Sequence, residues 1–133
     1  MSLSGATILI DGTVATTGGT SQALATLGDS ENKHRLFLDD GSEYSDRYTL
    51  EFSTKEPKVS ESAPNGYTQM RNTCLVKAPI TPSGGSPTVN TIKIEAAVDP
   101  ATTDAQKLSL RTIGAQLFHD SDFLEWWDNQ SQA

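Results

Sequence analysis

The sequence predicts an α+β chain in which a β-hairpin and an antiparallel meander are followed by two C-terminal α-helices. Three observations carry this reading. Asp11-Gly12 divides two runs of β-forming residues. Three later segments alternate apolar and polar residues, and the connections between them are too short for crossover helices. After Asp99-Pro100 the apolar spacing becomes helical and continues to Trp126-Trp127.

The hairpin is expected over 6–16. Asp-Gly between β-formers favours a type I′ turn, which needs positive φ, and Gly18-Gly19 ends its second strand. The stretch from Ser21 to Asn32 reads as an irregular connector. Ala23, Leu24 and Leu27 have helix-like spacing, so one helical turn is the alternative. An antiparallel sheet is expected over 34–98. His34–Leu38 is a short strand closed by Asp39-Asp40-Gly41-Ser42. In Arg47–Lys55, Tyr48, Leu50 and Phe52 point one way, and Thr49, Glu51, Ser53 and Lys55 the other. Glu56–Asn65 is a loop. Tyr67–Ala78 is the next strand, with Met70, Asn72, Cys74 and Val76 opposite Gln69, Arg71, Thr73, Leu75 and Lys77. Pro79–Pro87 breaks the pattern with three prolines and two glycines. In Thr88–Val98, Asn90, Ile92, Ile94 and Ala96 oppose Val89, Thr91, Lys93 and Glu95.

A helical unit is expected over 100–129. It starts either at Asp99-Pro100 or at Thr103, which with Gln106 matches a capping box. Ala105, Leu108, Leu110, Ile113, Leu117 and Phe118 form an apolar band. His119-Asp120-Ser121-Asp122 interrupts it. Asp120 or Ser121 caps a second helix, Phe123–Asn129, with Phe123, Leu124, Trp126 and Trp127 apolar.

At 133 residues the chain reads as one domain, 1–133, yet its apolar fraction of 35% is low for a self-sufficient core. A partner chain is expected to complete the core. No apolar run approaches the ~18 residues of a membrane span, and Met1–Gly5 lacks the basic start of a secretory leader. Cys74 is the only cysteine, which rules out an intrachain disulfide and leaves open an intermolecular one. The net charge of −7 argues against nucleic acid. The distribution softens this, because Arg47, Lys55, Lys58, Arg71, Lys77 and Lys93 all fall within 47–93, whereas acid gathers at 39–46 and 120–128.

No enzyme chemistry is legible. There is no phosphate-binding glycine loop, no dinucleotide fingerprint, and no Cys or His pair at metal spacing. His119, Asp120 and Ser121 have the residue types of a hydrolase triad, but triads assemble from separated segments. His119 at a helix C-terminus suits the helix dipole instead. Asp39, Asp40 and Glu43 read as a solvated turn, and Trp126-Trp127 as surface to be buried against a sheet or a partner. No cofactor, metal or small-molecule substrate is expected.

The order of hairpin, meander, Pro/Gly-rich loop, long strand and two helices resembles the coat proteins of single-stranded RNA bacteriophages. The residues that carry the resemblance are Ile8–Gly12, Tyr67-Thr68 to Ala78-Pro79, the loop Thr81–Pro87, Val89–Val98, and Asp99–Phe118 with its small polar start Ala101-Thr102-Thr103-Asp104. The resemblance implies an intertwined dimer with one continuous ten-stranded sheet. Each chain's helices clasp the partner, with Leu108, Ile113, Leu117, Phe118, Phe123, Trp126 and Trp127 at the dimer interface. It implies that Thr81, Pro82, Ser83, Gly84, Gly85, Ser86 and Pro87 line pores between subunits of an icosahedral shell. It further implies that the sheet's polar face binds single-stranded viral RNA, including a hairpin whose binding represses translation. The matching positions are Thr49, Ser53, Lys55, Gln69, Arg71, Thr73, Thr91 and Lys93. Glu51, Leu75 and Glu95 depart from that pattern, since two carboxylates on the same face repel phosphate. The chain is expected to work in the virion and to assemble in the bacterial cytoplasm. The rival expectation is a cytosolic β-rich dimer that binds protein or RNA without forming a capsid.

Overall fold

A computed structural model describes residues 7–8 and 21–130. The hairpin expected over 6–16 lies outside them, apart from Thr7 and Ile8. The chain forms two compact units, a sheet unit within 20–101 and a helical unit that takes in Thr102 onward.

The sheet has five strands in sequence order, each antiparallel to the next. They are β1 (Leu24–Ser30), β2 (Lys33–Leu38), β3 (Thr49–Lys55), β4 (Met70–Ile80) and β5 (Thr88–Val98). The segment expected to be an irregular connector is therefore mostly strand. The reason is a β-bulge between Thr26 and Gly28, where the pairing with β2 shifts register. A bulge places one extra residue in the strand, so Leu24 and Leu27 fall at an odd spacing that mimics a helix. Glu31 and Asn32 then make a two-residue turn, and Ser30 pairs with Lys33.

The strand β4 differs from expectation at both ends. It begins at Met70 rather than Tyr67, because Val59 and Tyr67 form their own isolated bridge. It runs on through Pro79, which pairs with Val89. Pairing with β3 reaches only as far as Lys77. At Pro79 only β5 lies alongside, and a local edge is where a missing N–H is tolerated. The Thr81–Pro87 connection is a turn in which Gly85 N donates to Pro82 O at 2.9 Å. Gly84 sits at φ 72°, the left-handed conformation that favours glycine at the third turn position.

The alternation expected in β3, β4 and β5 is fixed by register. Leu50 pairs with Val76 and Phe52 with Cys74, and these in turn pair with Ile92 and Ile94. Leu36 joins them from β2 opposite Leu50, with the Asp29–His34 side-chain hydrogen bond beyond. One face is thus a contiguous apolar surface. Ile92 is 48% and Ile94 47% exposed, and among the described residues no hydrophobic side chain is buried. Burial in mid-sheet pushes the Cys74 thiol up, so it packs as a small protonated hydrophobe.

In the helical unit, α1 spans Asp104–His119 and α2 spans Ser121–Asn129. Of the two candidate starts, the Thr103 one is used. Gln106 N donates to Thr103 Oγ1 at 3.2 Å, and Thr103 N donates to Gln106 Oε1 at 2.9 Å. Asp99 instead accepts from Asn65 Nδ2 at 3.0 Å and from Ala101 N at 2.8 Å, so its carboxyl is held below its ordinary range. The second helix starts two residues earlier than expected, with Asp120 as its cap and Asp122 N donating to Asp120 Oδ1 at 3.1 Å. Thr7 donates to Asp122 Oδ2 through its backbone N and its hydroxyl, at 2.9 and 3.2 Å.

The capping box yields a direct prediction. Thr103→Ala removes the acceptor for an orphan N–H of the first turn and is expected to cost about 1 kcal/mol in urea unfolding of the purified protein. Thr103→Ser, which keeps the oxygen, is expected to be close to neutral. Equal destabilisation by both variants would mean that the methyl group, and not the cap, carries the effect.

Candidate nucleic-acid interface

The other face of the sheet is built from the alternate residues of the same strands. Register arranges them in rows. Thr91, Lys77, Thr49 and Phe37 make one row, and Lys93, Leu75, Glu51 and Arg35 the next. Glu95, Thr73, Ser53 and Lys33 follow, then Ala97, Arg71 and Lys55. Neighbouring strands lie about 4.8 Å apart, so four strands present a surface roughly 14 Å across. Of the eight residues expected on this face, seven share it. Gln69 precedes β4, in a segment where Thr68 N donates to Lys58 O at 2.8 Å and Lys58 N donates to Thr68 Oγ1 at 2.9 Å.

The face is more cationic than the sequence alone implies. Lys33 and Arg35 join it from β2. The sequence shows the strand His34–Leu38 but not which of its sides faces this way, and the strand starts one residue earlier, at Lys33. An Arg35 beside Glu51 and a Lys33 beside Ser53 need the β2–β3 register to be seen. The two carboxylates expected to repel phosphate are both paired within the face. Lys33 Nζ lies 3.2 Å from Glu51 Oε1. Arg71 Nη1 donates to Glu95 Oε1 at 2.8 Å, and Thr73 Oγ1 donates to Glu95 Oε2 at 3.2 Å. Arg71 first, then Thr73, holds the Glu95 carboxyl below its usual range. Exposed pairs of this kind stabilise the fold little, but they cancel charge locally. Arg35, Lys55, Lys77 and Lys93 make no ion pair among the described residues. Hydroxyls of Thr49, Ser53, Thr73 and Thr91 are interleaved with them. Phosphate neutralisation by Lys and Arg, with hydroxyls beside them, is the chemistry of single-stranded nucleic-acid grooves.

The residues expected at a dimer interface fall in the helical unit. Leu108 is 56% exposed, and Ile113 and Leu117 are also exposed. The Phe118 and Trp127 rings stack with centroids 4.7 Å apart, and Trp126 meets Trp127 edge-on at 4.7 Å. Trp127 Nε1 donates to Leu117 O at 2.8 Å, so the indole has its polar partner while 43% of the residue stays exposed. Phe123 is half-buried. The helices therefore present a preformed apolar and aromatic surface in which the Trp127 indole N–H is already satisfied.

No protein-family model matches the chain, and no curated protein sequence is similar to it. Among solved structures, the virus-like particle of bacteriophage GQ-907 is similar over 99% of this chain and 100% of that one, with a TM-score of 0.85 and 27% identity. The virus-like particle of bacteriophage AVE019 is similar over 97% of this chain and 98% of that one, with a TM-score of 0.69 and 9% identity. An unassembled bacteriophage coat protein dimer, described as RNA-binding, is similar over 94% of this chain and 93% of that one, with a TM-score of 0.50 and 14% identity.

Proposed function

We propose that this chain, which has the fold of the coat proteins of RNA bacteriophages, is a capsid subunit that dimerises, assembles into an icosahedral shell and packages single-stranded RNA. It is a structural protein and not an enzyme. One observation carries the reading: a sheet with an uncovered apolar face and, on its other side, a face with four cations that are unpaired among the described residues. An exposed apolar surface of that extent calls for a covering, and the helical unit offers a matching apolar surface. A second copy of the chain supplies the covering in our reading. The sheet and helical units act together as one coat-protein domain, and each chain's helices lie over its partner's sheet.

The open edge of β5 is the edge by which two sheets join. It is eleven residues long, regular, and exposed over most of its length. The edge of β1 is bulged and carries Gly28 and Asp29, features that discourage strand addition. Joining at β5 brings the Thr91 and Lys93 positions of both chains to the middle of one ten-stranded face. The Thr81–Pro87 turn projects beyond the β4–β5 ladder and lines the pores between dimers. The cationic face takes the viral RNA, and a hairpin bound there acts as translational repressor. The protein works in the virion after assembling in the bacterial cytoplasm.

Expression of the chain alone tests this. Uniform closed shells in electron micrographs, with nuclease-protected RNA inside, are the expected result. A stable dimer that never assembles would overturn the capsid reading and leave a dimeric binding module. Shells empty of RNA would overturn the assignment of the sheet face.

A further inference from the structure

We propose that Tyr44, braced by Arg47 on Phe37, is a stacking platform for an unpaired RNA base at one end of the cationic sheet face. This deepens the RNA-binding reading of that face and rests on it. Phe37 belongs to the polar face because it pairs with Thr49 on β3 and with Ala25 on β1. The Arg47 guanidinium lies 4.2 Å from the Phe37 ring centroid and 5.6 Å from that of Tyr44. It is thus held between two aromatic rings, an attractive arrangement of a cation with ring quadrupoles. Tyr44 itself is 79% exposed. It opens a short 3-10 turn, Tyr44–Asp46, which Asp46 N closes on Glu43 O at 2.9 Å.

A solvated ring next to a guanidinium is what a nucleobase stacks on, since every base has a π-face. The row that contains Phe37 continues through Thr49 and Lys77 to Thr91. Two strand spacings, about 10 Å, separate the Phe37 position from that of Lys77. A strand of RNA can therefore place one base on Tyr44 and the following phosphates along Lys77 and Lys93. The local charges favour this polarity. Glu43 before the turn and Asp46 at its end repel phosphate, so the platform selects the uncharged part of the nucleotide. Bases inside a duplex have both faces covered by their stacked neighbours, so the platform discriminates for single strands and loops over duplex.

Fluorescence anisotropy of the purified protein with labelled oligoadenylate, across a salt series, tests the inference. Tyr44→Ala is expected to weaken binding about 5- to 150-fold, the range for one stacked base, with an unchanged slope of log affinity against log salt. Tyr44→Trp is expected to retain or tighten binding. Lys77→Ala is expected to weaken binding and lower the slope by about 0.7 per phosphate that it ceases to neutralise. If Lys77→Ala weakens binding while Tyr44→Ala binds as the parent does, the platform is overturned and the cationic-face reading stands. If the parent protein does not bind, or no variant changes binding, both are overturned. Because Tyr44 is largely solvated, its replacement is expected to leave unfolding unchanged, which separates a binding effect from a folding one.

Discussion

Replacing Ile94 by Asp is expected to abolish dimers and shells while the five-stranded sheet still forms. The residue sits at the centre of the apolar face, opposite Cys74, and is 47% exposed in the single chain. Its backbone ladder to β4 does not depend on the side chain, so the isolated chain tolerates the change. The dimer does not. Covering an isoleucine contributes about 1.5–3 kcal/mol, and two-fold symmetry applies the penalty twice. A carboxylate buried without a partner adds several kcal/mol to each copy. Together these exceed about 6 kcal/mol, which weakens association by about four orders of magnitude or more. Size-exclusion chromatography with light scattering, alongside micrographs, gives the readout. Ile94→Val, which removes one methyl group, should cost about 0.5–1.5 kcal/mol per copy and keep the dimer. Dimers of ordinary affinity from Ile94→Asp would mean that nothing covers this face.

The second large effect concerns RNA, and it inverts a simple expectation about arginine. Lys93 makes no ion pair among the described residues, whereas Arg71 is already committed to Glu95. Lys93→Ala therefore removes an available partner for phosphate and should lower the salt slope by about 0.7 for each phosphate left without a cation. Arg71→Ala acts differently, by removing the cation paired with Glu95 and leaving its negative charge on the face, with the Thr73 hydroxyl as its remaining hydrogen-bond partner among the described residues. The double variant Arg71→Ala with Glu95→Gln should recover most of the affinity that Arg71→Ala forfeits. Glu95→Gln alone should tighten binding and steepen its salt dependence, because it releases Arg71. The pH dependence has a fixed sign. Glu95 is held below its unfolded value, so its pairing stabilises the fold above the ordinary carboxylate range and disappears as pH falls through the lowered value. Acidification should thus free Arg71 in the parent protein and change little in Glu95→Gln. If the double variant binds no better than Arg71→Ala, Glu95 plays no part in setting affinity.

The sequence made the faces of β3, β4 and β5 legible because a strand's side chains alternate, and nothing in these three strands shifts that alternation. It concealed β1 because a single bulge between Thr26 and Gly28 breaks the same rule. The strand His34–Leu38 was legible, but the contribution of Lys33 and Arg35 to the polar face depends on the β2–β3 register, which sets them beside Ser53 and Glu51. Pro79 made the end of β4 look like a loop, although a proline on a strand flanked on one side only disrupts nothing. For α1 the sequence offers two starts, Asp99-Pro100 and the Thr103 capping box, and only the structure shows that the second is used. Tyr44 carried no periodic signal, and Arg47 read as the first residue of the strand that in fact begins at Thr49. Their association comes from a 3-10 turn that folds an arginine over a phenylalanine of the preceding strand, and only the three-dimensional arrangement reveals it.

The unequal edges of the sheet have a consequence for growth. A subunit with two receptive edges is a bifunctional monomer, and its product is a fibre of unlimited length. With β5 open among the described residues and β1 bulged, each chain in the proposed dimer is monofunctional toward strand pairing. Two such chains would terminate one another, and the reaction would stop at a pair. Any larger closed assembly must then be made through surfaces of another kind, such as turns and loops, whose contacts can bend. In the proposed assembly the bulge at Thr26 and Gly28 acts as a chain terminator, and repairing it, by deleting Leu27, is expected to give the subunit a second reactive end.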